Sequence, residues 1–335
     1  MRKILTDSTI YDVAEKANVS IATVSRVLNS PEKVNEAMRA RVLKAIDALG
    51  FVPKAEAAAR ARKTTGRIGA LAPFFTYPSF VERLQGVAAA LKGSAYDLTI
   101  YSIDSAAHRD GYLTSLAVTH RLDGLIVMAL PFANTIAQRL TMCRMETVLI
   151  EASHSSFCSI EIDDIAGGRM AAEYLLEQGH RRCAFMGDKD LPDYAIHPSD
   201  RRLQGFRQAL AAAEVPLPDD YIALVPQGVD TVPQETHRLL DLPTPPSAIF
   251  TASDTLAMSV LKTVRERGVS VPDQLAVIGF DDLEVADYIG LTTVRQPLKE
   301  SGRVAVELLL ARLADNSRPV QHIKLPLAIV RRQTA

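Results

Sequence analysis

TIYDVAEKANVSIATVSRVLN, residues 9–29, holds two short helical patterns separated by a tight polar turn. Ile10, Val13, Ala14 and Ala17 share one helical stripe, and Thr9 is placed to accept from the free N–H groups at its start. Asn18 stands at the reversal, where Asn tolerates left-handed backbone nearly as well as Gly. Ser20 is positioned to cap a second helix that buries Val24, Val27 and Leu28, leaving Ile21, Ala22, Ser25, Arg26 and Asn29 on other faces. A third pattern follows in VNEAMRARVLKAIDALGF, residues 34–51, with Asn35 as cap and Met38, Val42, Ala45, Ile46 and Leu49 at helical spacing before Gly50. Three short amphipathic helices can share one small core. They form either a generic bundle with polar outer faces or a helix-turn-helix that offers its second helix to DNA.

The runs YDVAEKANVS (11–20), ATVSRVLN (22–29) and GFVPK (50–54) resemble the LacI/GalR family of bacterial transcription regulators, which favours the second alternative. The resemblance implies that Ile21, Ala22 and Arg26 enter the major groove and that Ser20, Thr23, Ser25 and Asn29 lie near phosphates, with Thr9 and Tyr11 also in the DNA-facing set. The chemistry agrees with these roles. Arg donates bidentately to guanine, small apolar groups meet a thymine methyl, and hydroxyls at helix N-termini suit phosphate oxygens. Charge is divided accordingly: residues 1–63 carry 12 Lys and Arg against 7 Asp and Glu, leaving 26 and 32 for the rest.

The following PKAEAAARARKTTGRIG combines helix formers and basic residues with Thr64, Thr65 and Gly66, and it reads as a conditional helix that DNA and a second copy would stabilise. Members of the family commonly wedge a Leu from this hinge into the minor groove, but Arg60 stands at that position here and Lys54 stands where Asn is usual. Arg60 and Arg62 are therefore expected to act through charge and groove width, making binding steeply salt dependent.

The length of 335 residues implies several domains, and 47% apolar with 23% charged residues is globular composition. The N-terminal residues lack a signal-peptide pattern and no segment approaches the ~20 apolar residues of a membrane span, so a cytoplasmic, nucleoid-associated protein is expected. Cys143, Cys158 and Cys183 show no paired spacing, and neither a disulfide, a metal site nor a cofactor is expected.

From Arg67 onward, apolar runs such as RIGALAP, DGLIVMAL and TVLIEAS alternate with helical patterns, and the rhythm repeats through RRCAFMGD, SAIFTASD and LAVIGFDD. This is the pattern of an α/β core of two doubly wound parallel-sheet lobes behind a small all-α helix-turn-helix headpiece. The family resemblance continues in GHRR, RLQGF, SDTLAM and VIGFDD and implies a core like the periplasmic sugar-binding proteins. By that likeness the headpiece spans 1–50, the hinge 51–65 and the core 66–335. One lobe then takes about 66–163 and 291–322, the other about 164–290 and 323–335, with crossings near 163, 291 and 322.

A cleft between such lobes can close around a small polar molecule at the carboxyl ends of the strands. The resemblance places Arg202 and Asp281 at effector-holding positions, with Ser253 and its neighbour Asp254 as further candidates. Asp281 can accept from paired hydroxyls and Arg202 can donate to hydroxyls or a carboxylate; alternatively Asp281 caps a turn and Arg202 makes a structural ion pair. Phe74, Phe75, Tyr77 and Phe80 either stack on an apolar ligand face or pack the lobe interface.

Two other functions could use an α/β core. A nucleotide-dependent enzyme lacks its phosphate loop, for no GxGxxG follows the first strand, no GxxxxGK[ST] occurs, and Asp163 with Asp164 suits a turn and helix cap. A secreted solute receptor would have no use for the N-terminal reader. The expected function is therefore a repressor, working as a homodimer on pseudo-palindromic double-stranded DNA. Its effector is expected to be a carbohydrate, with a nucleobase or nucleoside as the alternative. The stripe Val81, Leu84, Val87, Ala88 and Leu91 is either a dimer face or lobe core.

Overall fold

The computed structural model describes residues 9–29, 34–49, 51, 65–119, 121–190, 192–226 and 228–335, with Leu28 and Asn29 described as helix backbone alone. The hinge residues Lys54, Arg60 and Arg62, Gly50, and the side chains of Leu28 and Asn29 lie outside the described residues. The chain divides into a helical unit ending at Thr65 and a larger unit, Gly66–Ala335.

In the helical unit α1 spans Ile10–Lys16, α2 Ile21–Asn29 and α3 Glu36–Leu49. The Asp12 amide donates to the Thr9 hydroxyl while the Thr9 amide donates to the Asp12 carboxylate at 2.7 Å, a reciprocal box that closes the start of α1. These bonds hold the Asp12 carboxyl below its ordinary range. Asn18 has φ 49°, the left-handed conformation the reversal needs, and the Asn35 carboxamide accepts from the Met38 amide at 2.8 Å to cap α3. Val13, Ala14, Ala17, Val24, Val27, Val42 and Ala45 are buried together, and Ile10, Val19, Ile46 and Leu49 close the edges. A core of small Val and Ala side chains lets three short helices approach closely.

The larger unit is built on two six-stranded sheets. The first holds β1 (Arg67–Ala72), β2 (Asp97–Ser102), β3 (Gly124–Met128), β4 (Glu146–Ile150), β5 (Cys158–Glu161) and β11 (His322–Lys324), in the order β11-β5-β4-β3-β1-β2. The second holds β6 (Cys183–Lys189), β7 (Ile222–Pro226), β8 (Ala248–Thr251), β9 (Ala276–Asp281), β10 (Thr292–Arg295) and β12 (Ala328–Val330), in the order β12-β10-β9-β8-β6-β7. Among the described residues every pairing is parallel except that of β10 with β12. Both faces are covered by helices, so a central strand such as β3, GLIVM, is buried along its whole length.

The chain passes between the sheets three times. The first passage, between Glu161 and Asp164, lies where the sequence places it. The other two are shifted: β10 pairs with β9, so the second passage follows Arg295 rather than residue 291, and β11 pairs with β5, so the third follows Lys324 rather than residue 322. Short strands at or next to a sheet edge carry too few side chains to declare their sheet, and the backbone ladder decides it.

In each lobe a pair of helices packs at a glycine contact. Pro78–Leu91 (α4) meets Leu298–Ala314 (α12) in the first lobe, and Asp164–Glu177 (α7) meets Pro198–Ala212 (α8) in the second. A Cβ on Gly302 would overlap the Arg83 carbonyl, and one on Gly168 would overlap the Arg202 carbonyl, so only glycine permits this approach. Leu84, Val87 and Leu91 of α4 are buried in the first lobe's own core, while Val81 and Ala88 face outward; lobe packing therefore accounts for most of that stripe. The second lobe centres on Phe185, Phe206, Phe250 and Phe280, all fully buried, each contributing roughly 1.5–3 kcal/mol of transfer free energy.

Candidate ligand cleft and nucleic-acid interface

In both sheets the strand order reverses beside the first strand of the lobe, between β1 and β3 and between β6 and β8, which opens a crevice at the carboxyl ends. A cavity of about 390 Å³ lies there between the lobes, within the roughly 300–1,000 Å³ range of small-molecule sites. Phe74, Tyr77, Phe80, Arg83, Ala129 and Glu151 line it from the first lobe. Asp188, Ser199, Arg202, Ser253 and Asp281 line it from the second, and Gln296, on the second passage between the sheets, completes it.

Polar groups in this cavity form one chain across both lobes. Arg83 is 3% exposed; its guanidinium donates to the Glu151 carboxylate and, at 3.0 Å, to the Gln296 carboxamide oxygen. The Gln296 amide in turn donates to Asp281. Arg202, 4% exposed, donates through Nε to Asp164 at 3.0 Å and through Nη1 to the Ala252 carbonyl, and Nη1 lies 4.0 Å from Asp281. Its guanidinium stands 3.6 Å from the centroid of the Phe280 ring, so the apolar core of the second lobe forms the floor of the site.

Burial sets the ionisation. Desolvation pushes the Asp281 carboxyl up to about 6 against the opposing pull of Arg202, Gln296 and Arg83. Desolvation also raises Asp188, which Ser199 and Arg202 partly stabilise as the anion. The backbone here is unusual as well: Ala129, Glu151 and Asp281, each just at or past a strand's carboxyl end, have φ of 50°, 60° and 120°. Left-handed backbone at non-glycine residues costs about 1–3 kcal/mol each and persists only where the surroundings enforce it.

Of the residues singled out by sequence, Arg202, Asp281, Ser253, Phe74, Tyr77 and Phe80 come together at the cavity. Ser253 also caps the helix Asp254–Glu266 (α10), accepting from the Leu256 amide at 3.3 Å. Two residues do not join them. Asp254 is fully buried beneath the site, its carboxylate accepting from the Thr293 hydroxyl at 2.6 Å and the Leu283 amide at 2.8 Å; burial and the neighbouring Asp281 charge raise it well above the ordinary range. It braces the end of β9 and does not line the cavity. Phe75 packs against the first lobe's core and does not line the cavity, while Phe74 meets Tyr77 edge-on at 5.5 Å.

Asp163 caps α7, accepting from the Ala166 amide at 3.0 Å, as its position suggests. Asp164 is instead the ion-pair partner of Arg202, so the structural alternative weighed for that arginine holds alongside its place in the cavity. Sequence reading missed Arg83, Glu151, Gln296 and Asp188. A signal existed for the first two. Arg83 falls on the buried stripe of α4 with Phe80, Leu84 and Val87, and Glu151 ends an apolar strand just as Asp281 does.

On the helical unit, α2 presents Ile21, 40% exposed, with Ala22 and Arg26 also exposed, while Ser25 and Thr23 are half-buried. The Thr23 amide donates to the Ser20 hydroxyl at 3.1 Å, and the two hydroxyls pair at 2.9 Å, closing the start of α2. Tyr11 on α1 is 67% exposed, and Thr9 serves as the α1 cap. A short apolar and guanidinium edge on a capped, rigid helix has the dimensions and chemistry to enter a major groove.

Comparison with known proteins agrees with both halves. Residues 9–54 match the model described as bacterial regulatory proteins, lacI family, and residues 172–335 match that of the periplasmic binding protein-like domain. The HTH-type transcriptional repressor CytR of Escherichia coli (strain K12) is 32% identical over 314 residues, covering 92% of this chain and 91% of CytR. The HTH-type transcriptional repressor PurR of Vibrio parahaemolyticus serotype O3:K6 is 30% identical over 332 residues, covering 98% of each. A solved complex of the transcriptional regulator CelR with cellobiose matches with a TM-score of 0.70 at 27% identity, covering 98% of this chain and 100% of that one.

Proposed function

The chain belongs to the LacI family of bacterial regulatory proteins, and on that premise we propose that it is a transcriptional repressor whose hold on operator DNA is set by a small molecule bound between its lobes. The observation that carries this reading is the buried Arg83–Gln296–Asp281 chain, which ties the two lobes together through the walls of one cavity. A ligand that donates to Asp281 competes with Gln296 for the same carboxylate, so occupancy and lobe arrangement are energetically linked.

The repressor acts as a homodimer in the cytoplasm, with α2 of each copy in successive major grooves of a pseudo-palindromic site. Arg26 with Ile21 and Ala22 reads bases; Ser20, Thr23, Ser25 and Asn29 hold phosphates, aided by Thr9 and Tyr11. The ligand is a small-molecule effector rather than a cofactor, and the protein catalyses no reaction. A sugar or sugar derivative is favoured because a neighbour of the same fold is solved with cellobiose and because Asp281 suits paired hydroxyls. The aromatic wall Phe74, Tyr77 and Phe80 keeps a nucleoside as the second reading, since a base offers a flat face to such a wall.

Footprinting on DNA from the chain's own upstream region tests the function. A protected two-fold site lost on Arg26→Ala is expected; protection without sequence preference would overturn it. Arg60 and Lys54 complete the interface, and Arg60→Leu is expected to lower the slope of log affinity against log salt by about one. An unchanged slope and unchanged DNA bending would remove the hinge from this account.

A further inference from the structure

The charges around the cavity do not balance. Three carboxylates line it, Glu151, Asp188 and Asp281, against the two guanidinium groups of Arg83 and Arg202, and a fourth carboxylate, Asp164, pairs with Arg202 from behind. Both cations already carry partners, although Arg83 Nε is buried without one among the described residues. Arg83 is engaged by Glu151, Gln296 and the Ser79 carbonyl, and Arg202 by Asp164, the Ala252 carbonyl and the face of Phe280. Arg83 has committed both N–H groups of Nη2, and Arg202 has committed Nε and an N–H of Nη1, so each guanidinium meets a further anion with only part of its fork.

The helix ends bring no substitute. At α8 the Ser199 hydroxyl is paired with Asp188, and at α10 Ser253 fills the cap while Asp254 sits in the first turn. The start of α4 has no side-chain cap, but Pro78 has no N–H to give there and Phe74, Tyr77 and Phe80 build an apolar wall around it. Ile196, which packs against the first lobe's core, and Val229 add to the apolar lining.

We infer that this cleft selects its ligand by charge, admitting an uncharged or amine-bearing molecule with several hydrogen-bond donors and one flat apolar face, and refusing the phosphorylated or carboxylated form of the same molecule. The inference rests on the reading of this cavity as the effector site. Asp188 is the specificity-determining residue: with Asp281 it receives the ligand's donors, and among the described residues no ion pair answers its charge, Arg202 acting on it only at a distance. A second anion placed beside these carboxylates in a desolvated site meets repulsion that water does not screen.

Calorimetry on the intact protein with matched pairs decides it: ribose and ribose 5-phosphate, glucose and glucose 6-phosphate, cytidine and cytidine monophosphate, adenosine and adenosine monophosphate. The expected result is that at least one uncharged member binds and its phosphorylated partner binds about a hundredfold more weakly or not at all. Asp188→Asn is expected to narrow that ratio about tenfold; the wild-type pairs decide the question even if this variant fails to fold. A phosphorylated member binding within tenfold of its uncharged partner would overturn the charge rule while leaving the effector reading intact. Silence from every pair, with specific operator binding retained in the same preparation, would overturn the effector reading and the charge rule together.

Discussion

Each lobe places one buried arginine at the cleft, but the two are held differently. Arg202 is fixed wholly within the second lobe, by Asp164 at the start of α7, the Ala252 carbonyl after β8 and the ring of Phe280. Arg83 is held by Glu151 of its own lobe and then reaches through Gln296 to Asp281 of the other. One lobe therefore carries a preformed half-site, and the other carries a contact that exists only while the lobes stand in this arrangement. On the proposed function, the Arg202 side would supply affinity and the Arg83 side coupling.

The comparison breaks most visibly at Arg202. Arg202→Ala leaves Asp164 buried without its partner and should cost about 3–5 kcal/mol in reversible urea unfolding of the larger unit, since an uncompensated buried charge is expensive. A loss under 1 kcal/mol would show that the half-site is not preformed. Gln296→Ala removes the bridge and should cost less, about 1–3 kcal/mol. Its diagnostic effect lies elsewhere: ligand should still bind, while its influence on operator affinity falls about tenfold. Full coupling in that variant would place the linkage outside the Arg83 chain.

Acidity sharpens the same contrast. A ligand that donates to Asp281 prefers the carboxylate, so its affinity is full above the raised value of about 6 and falls about tenfold per pH unit below it. The empty protein responds in the opposite sense. Its Asp281 carboxyl holds a proton more tightly than the unfolded chain does, so protonation as pH falls through 6 stabilises the unliganded fold. Calorimetric titrations at pH 5 and pH 7.5 check the first claim, and Asp281→Asn should flatten the profile; equal affinities at both values in wild type would exclude Asp281 as the acceptor. The smallest effect is expected at Ala129, whose φ of 50° is strained for alanine: Ala129→Gly should stabilise by up to about 1 kcal/mol in the same unfolding assay. Destabilisation there would mean that the methyl group packs more than the backbone strains.

Local features were legible in the sequence because their physics is local. Thr9, Asn18 and Asn35 sit within three residues of the groups they satisfy, and the strands announced themselves as buried apolar runs. Arg202 and Asp281 were found through family resemblance, and the structure adds their burial. The Arg83 chain was not legible, because its partners are 68 and 213 residues away and no spacing rule connects them. The sequence reading groups Asp254 with the cavity residues because a carboxylate beside a helix cap looks the same whether it faces a cavity or the back of a strand. Its hydrogen bonds to Leu283 and Thr293 come from segments that only the folded sheet brings near. An arginine interrupting a buried helical stripe, and a carboxylate ending a buried strand, are the two signals that would have pointed to Arg83 and Glu151.

The central claim is that the cleft and the operator are thermodynamically coupled. Calorimetric titration of the bound ligand into free protein and into the preformed protein–operator complex tests it directly, because coupling must be reciprocal. The account predicts ligand affinities that differ by about 5- to 150-fold between the two, matching the factor by which saturating ligand shifts operator affinity. Equal ligand affinity in the presence and absence of operator would contradict it.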